Sequence, residues 1–189
     1  MKKKISYIWD YYKGHIFVAL VLLYIVSFCI YRATHNEPAG LYVAMVNVIT
    51  GDDLHSSLIE EYPSCEIYTY ENLVLTENID AESYSYVQAS EIKILGAIQS
   101  ERLDVVIMDE EAMKAFIRNE YLYNLHLLLK DEELLSTIED DIYQDCALNI
   151  SSFPMIQDAG FPSDVYLGVI ANTTHPEESI RYISYLQES

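Results

Sequence analysis

The chain has 189 residues, 51% of them hydrophobic, and a formal net charge of −19. That apolar content excludes a disordered acidic tail, and the length allows one ordinary domain plus an appendage. Seventeen tyrosines favour ordered, half-buried surfaces over linkers.

Residues 1–14 hold Lys2, Lys3, Lys4 and Lys13 and are expected to form a cytoplasmic tail. Positions 15–31, HIFVALVLLYIVSFCIY, contain no acid, Lys, Arg, Pro or Gly. A membrane helix needs about 20 mostly apolar residues, with about 17 at the low end. Trp9, Tyr11, Tyr12 and Tyr31 flank the run, where interfacial aromatic residues gather. Residues 15–32 are thus the expected transmembrane anchor, in contact with the lipid bilayer through 15–31. Only Arg32 follows closely, so the positive-inside rule places the N-terminus in the cytoplasm and the remainder outside the cell membrane. The alternative is a cleaved signal peptide, which needs small residues at alternate positions after the apolar run. Tyr31-Arg32-Ala33 puts a bulky Tyr there, and Phe28 before Cys29 is too large for a lipoprotein signal.

Five of the eleven basic residues and one of the thirty acids lie at or before Arg32. Six basic and twenty-nine acidic residues remain beyond it, a net charge of −23. Such a surface repels phosphate backbones, which excludes nucleic acid as a partner, and it repels anionic headgroups. Cys65 and Cys146 lie in this outer part; pairing in an oxidising space and simple core packing are both open to them.

Residues 33–40, ATHNEPAG, read as a linker, and 41–189 as the extracytoplasmic domain. Leu41–Val48 is a strand apolar at nearly every position, as in strands buried on both faces. A turn at Thr50–Asp53 leads to a short helix with Leu54, Leu58 and Ile59 on one stripe, ended by Pro63. Cys65–Leu75 alternates like a strand. Asn78–Ser83 reads as a loop, and Tyr84–Gln99 as a helix whose Ala89, Ile92, Leu95, Ile98 and Ile94 are expected to face the core. Asp104–Met108 is a strand, and Asp109–Asn119 a helix with Met113, Phe116 and Ile117 buried. Tyr121–Leu129 has no clear class, Asp131–Ile138 reads as a helix, Ile142–Ile150 as a strand and Ser151–Ser163 as a loop. Val165–Asn172 is a further strand. His175-Pro176-Glu177-Glu178 opens a last helix, with Ile180, Ile183 and Leu186 inward. Alternating strands and helices predict a three-layer α/β domain with a mainly parallel sheet.

Two stretches carry a resemblance. ASEIKILGAIQSERLDVVIMDEEAMKAFIRNEYLYNL and DVYLGVIANTTHPEESIRYISYLQES resemble segments of the extracellular solute-binding proteins of ABC transporters, with their type II periplasmic-binding-protein fold. The first is similar to that family's run of helix, turn, Asp-Val-Val strand and helix. The second is similar to its strand and Pro-Glu-led helix. Ser100-Glu101-Arg102 stands where the family has a Gly in the turn. Leu129 and Val165 are only 36 positions apart, too close for a second lobe of at least ~50 residues. The resemblance therefore implies a relative reduced to one lobe.

Asp109, Glu110 and Glu111 follow a buried strand and start a helix, which is where acids cap the orphaned first-turn N–H groups. Asp131-Glu132-Glu133 and Glu177-Glu178 repeat the pattern, so capping is preferred over a divalent-cation site. No loop has the calcium-hand spacing, and His15, His35, His55, His126 and His175 form no zinc motif. No nucleophile motif or phosphate-binding glycine loop occurs, so catalytic residues, metal and cofactor are all expected to be absent. Asn47 and Asp109 stand at strand ends, where open α/β sheets bind ligands, and are candidate ligand-binding residues. Tyr68 and Tyr70 share one strand face and could platform a ligand; cross-strand packing is the alternative. The expected function is a membrane-anchored binding or scaffolding module without catalytic activity, with an envelope protein or a small solute as partner. The alternatives are a solute receptor of a transport system and a hydrolase.

Overall fold

The computed structural model describes residues 17–28, 40–48, 65–78, 83–129, 132–158, 161 and 164–188. The chain divides into two compact units, Met1–Pro38 and Ala39–Ser189. In the first, residues 17–28 form a helix with exposed side chains. Among the described residues, no helix is long and apolar enough to cross a membrane. The other positions of the 15–31 run lie outside the described residues, as do the helix expected around Leu54–Ile59 and most of the linker.

The second unit is an α/β domain on a six-stranded mixed sheet. Its strands are β1 (Leu41–Val46), β2 (Ile67–Leu73), β3 (Val105–Met108), β4 (Ile142–Tyr143), β5 (Ala147–Asn149) and β6 (Tyr166–Val169). Their order is β2-β1-β3-β6-β5-β4. The helices are α1 (Tyr84–Gln99), α2 (Glu110–Arg118), α3 (Leu125–Leu128), α4 (Glu132–Ile138), α5 (Pro154–Asp158) and α6 (Pro176–Glu188).

Period-two alternation sends side chains to two separate cores. Leu41, Val43 and Met45 of β1 and Val105 and Ile107 of β3 pack with Leu125 of α3, Ile156 of α5 and Tyr182, Ile183 and Leu186 of α6. Ala44, Val46, Val106 and Met108 face the other way, against Ile94 and Ala97 of α1 and Met113 and Phe116 of α2. Two-sided burial is what the continuous apolar runs encode.

Strand direction is not encoded that way. β1 pairs in parallel with β2 and β3, but β6 runs antiparallel to both β3 and β5, and β4 antiparallel to β5. The sheet is therefore partly parallel rather than mainly so. The run VYLGVI in β6 reports burial on both faces and carries no signal of polarity. The strand expected over Ile142–Ile150 is instead the β4–β5 hairpin. Its loop is three residues, Gln144 to Cys146; Gln144 and Asp145 both have positive φ, 47° and 62°, and Cys146 N donates to the Tyr143 carbonyl at 3.2 Å. Pro154 opens α5 inside the expected loop, as proline can at a helix start.

The largest correction concerns α1. Its buried face is Val87, Ser90, Ile94 and Ala97, whereas Ala89, Ile92 and Leu95 are exposed. Two apolar stripes compete on this helix. The one holding small Ser90 and Ala97 packs on the sheet.

Candidate functional site

The strand order reverses between β1 and β3: β1 is followed outward by β2, and the chain then crosses back to β3 on the other side of β1. In open α/β sheets such a switch point opens a crevice at the carboxyl ends of the two strands, the common place for a ligand. Asn47 follows β1 and Asp109 follows β3, and the structure brings them together. Asn47 Nδ2 donates to Asp109 Oδ1 at 3.0 Å and to the Leu75 carbonyl at 2.7 Å, while Leu75 N donates to Asn47 Oδ1 at 2.8 Å. Asn47 sits at φ 59°, a left-handed conformation that Asn tolerates better than most residues. Asp109 Oδ1 also accepts from Ala112 N at 2.8 Å, the N-cap of α2. Glu111 Oε1 accepts from Thr76 Oγ1 and from Glu77 N, both at 2.9 Å. The segment Leu75–Glu77 thus lies as a strap over the switch point, stitched down by Asn47 and Glu111.

Beside the strap, a cleft of about 260 Å³ opens between α1 and α2. Leu75, Ile94, Leu95, Ala115, Phe116 and Tyr121 give it apolar walls. The remaining lining is polar: Thr76, Glu77, Glu91, Glu111, Arg118 and Asn119. Arg118 is tied to Glu77 at 2.5 Å, so its charge is already matched. Asn47 and Asp109 do not line the cleft; they hold the strap that forms one of its walls. Leu95 of the apolar wall is 38% exposed, and Ile92, three positions earlier on α1 and outside the lining, is 65% exposed. An apolar wall continuous with exposed apolar side chains can hold an apolar group of a ligand.

The opposite end of the parallel strands holds a different polar group. Asp104, just before β3, is fully buried. Its Oδ2 accepts from Tyr42 N at 2.9 Å, its Oδ1 from Thr173 Oγ1 at 2.5 Å, and His175 Nδ1 lies 3.2 Å from both oxygens. A buried carboxyl group against an imidazole can orient that ring for proton transfer. Burial pushes Cys65 above the ordinary thiol range, with Glu178 adding to the shift, so it stays protonated near neutral pH. Cys65 and Cys146 are both free. Cys65 precedes β2 at one edge of the sheet and Cys146 belongs to the β4–β5 hairpin at the other.

Tyr68 and Tyr70 lie away from the cleft. They stack beside Tyr42 with ring centroids 5.1 and 6.5 Å away, and the Lys93 ammonium stands 5.4 Å from the Tyr70 centroid. Tyr68 also sits over Gly40, where an added Cβ would lie 2.2 Å from its ring. These contacts are those of cross-strand packing. The cap at Asp109 is as expected from the sequence, and Glu177 and Glu178 stand in the first turn of α6; Asp131 lies outside the described residues. Among the described residues, no group of three or more His, Cys, Asp or Glu is placed to hold a metal.

The cleft and the Asp104–His175 pair were both missed by reading the sequence. A signal for the first is present: besides its buried stripe, α1 carries Ile92 and Leu95, an apolar pair free to be covered by another partner. No protein-family model and no curated protein matches the chain.

Proposed function

We propose that the chain is a membrane-anchored binding module: residues 15–32 hold it in the bilayer, the α/β domain stands outside, and the α1–α2 cleft receives the partner. One observation carries the binding assignment. The strap Leu75–Glu77 covers the strand-end crevice, and beside it the apolar cleft wall runs into exposed Ile92 and Leu95. At about 260 Å³ the cleft falls below the ~300–1,000 Å³ usual for small-molecule sites. That size, with the apolar surface beyond it, favours a side chain of a protein partner over an enclosed solute.

The resemblance to solute-binding proteins fits an accessory of an envelope system, one lobe without a clamshell. The anchor is supported by the run 15–31 and its flanking lysines and aromatic residues. Orientation is tested by Glu139→Cys, at an exposed position, against Lys4→Cys on intact cells, both with Cys29, Cys65 and Cys146 replaced by Ser. A membrane-impermeant maleimide should label the first and spare the second; the reverse pattern overturns the anchor and its orientation. Binding is tested with a photo-crosslinking residue at Leu95 and, as control, at exposed Asp158 of the same full chain. A discrete adduct at Leu95 alone supports the cleft, and equal adducts or none at both positions count against it.

A further inference from the structure

Resting on that reading, we infer that the cleft selects a cationic amphipathic segment of a partner protein: an apolar side chain enters between α1 and α2, and Lys or Arg residues beside it meet Glu91 and Glu111. Four features of the site lead to this chemistry. First, the walls that Leu95, Phe116 and Tyr121 supply are apolar, so the inserted group is apolar. Second, the acids outnumber the bases at the rim. Glu77, Glu91 and Glu111 line it against Arg118 alone, and Arg118 is paired with Glu77. Third, the two remaining acids can accept further bonds: both bonds of Glu111 to the strap use Oε1, and Glu91 is exposed. Fourth, Ile92 and Leu95 stand three apart on α1 and so share a face next to Glu91, extending an apolar stripe with an acid beside it. A helix laid in a groove presents the complement of this pattern, apolar anchors at i, i+3 and i+4 with charge alongside. The net charge of −23 beyond Arg32 would also steer a cationic segment inward and turn an acidic one away.

The test uses the full chain in phosphatidylcholine nanodiscs and three fluorescein-labelled 18-residue helical peptides. One alternates Leu and Lys on helical spacing, one has Glu for each Lys, and one has Ser for each Leu. Fluorescence anisotropy should show binding of the Leu/Lys peptide alone. Its affinity should drop about three- to tenfold in Glu91→Lys and when salt is raised from 0.05 to 0.5 M, because exposed charge pairs are modest and screened. Leu95→Ser should weaken it by a similar factor or more, and both sites are exposed enough to leave folding intact, which circular dichroism checks. Glu139→Lys, away from the cleft, should leave the affinity unchanged. Equal binding of the Leu/Glu peptide with dependence on Leu95 would overturn the cationic selection and leave the cleft as binding site. Binding that ignores Leu95, or binding of the Lys/Ser peptide as tight as the Leu/Lys one, would show attraction to the acidic surface as a whole and overturn the inference. Loss of all binding, including to the unaltered chain, would overturn both the inference and the cleft assignment.

Discussion

The two ends of the parallel strands solve the same problem in opposite ways. At the amino end one buried group, Asp104, gathers the chain: its side chain accepts from Tyr42 and Thr173 and faces His175, its backbone N donates to the Tyr42 carbonyl at 2.9 Å, and its carbonyl accepts from Ile170 N at 2.8 Å. At the carboxyl end the polar groups are distributed, with Asn47 and Asp109 half-buried and Glu111 exposed. Asn47, Asp109 and Glu111 each hold one piece of the strap or one helix start. A single hub inside the protein fixes β1, β3 and the loop into α6 rigidly, since any lost partner leaves a buried group unpaired. A seam of bonds at the surface can open piecewise, with water replacing each partner. Binding surfaces belong on the second kind of ground.

The hub should therefore be the costlier end to damage. Asp104→Ala leaves the Tyr42 N–H, the Thr173 hydroxyl and the His175 N–H without their acceptor. At about 1 kcal/mol for each of these half-buried groups left without its acceptor, a loss of about 3 kcal/mol is expected. Denaturant unfolding of the full chain in mild detergent, followed by circular dichroism, measures it. Thr173→Val sharpens the point, because it removes one donor and leaves Asp104 with other partners; a cost of about 1 kcal/mol is expected. A loss under ~2 kcal/mol for Asp104→Ala, no more than a seam variant should cost, would erase the distinction between the two ends.

At the seam, Asn47→Ala removes three side-chain bonds and places Ala at φ 59°. About 2 kcal/mol is expected, partly from the left-handed backbone. Asn47→Gly loses the same bonds but relaxes that backbone, so it should cost about 1 kcal/mol less. Both variants should speed hydrogen exchange at the Leu75 amide, whose acceptor is lost, and leave the Ile170 amide at the hub protected. Equal acceleration at both amides would mean that the ends unfold together.

The sequence made these ends legible to different degrees. Asp109 was readable because a cap is a local device: an acid, two more acids and an apolar helical stripe specify it within a few residues. Asn47 was readable as a strand end, but its bonds to Leu75 and Asp109 join residues 28 and 62 positions apart. Asp104 looked like the polar first residue of a strand, and His175 like one of five scattered histidines. Nothing local announces that they meet. The phase of α1 is not legible, because its more apolar side chains, Ile92 and Leu95, are exposed while smaller Ser90 and Ala97 are buried. Close packing on a sheet rewards small residues on the inner face instead. The cleft arises from that choice. Similarly, both helices that flank it end without glycine: Glu101 and Glu120 adopt φ 56°, and Arg102 N and Tyr121 N reach back to the carbonyls of Ala97 and Phe116. Those are Schellman exits, and their usual residue, Gly, is missing from the sequence.

The smallest expected effect uses Cys65 to probe the amino end of the strands. Burial raises its pKa, and the Glu178 carboxylate and then Asp104 add to the shift. An unfolded thiol titrates near 8.5, so at that pH about half the denatured chain is thiolate while the folded Cys65 is mostly protonated. With Cys29 and Cys146 replaced by Ser, alkylation by iodoacetamide at pH 8.5 should run slower in the folded chain. Its rate should still be climbing at a pH where the denatured chain has levelled off. The linkage has a definite sign. A thiol whose folded pKa lies above its unfolded one contributes stability below the unfolded value, and this is lost as pH rises through the folded value. Glu178→Gln removes one cause but leaves burial, so the folded profile should move only part of the way back. A full return to the denatured profile would mean that charge, not burial, governs this end of the sheet, and the image of a dry hub at Asp104 would fail with it.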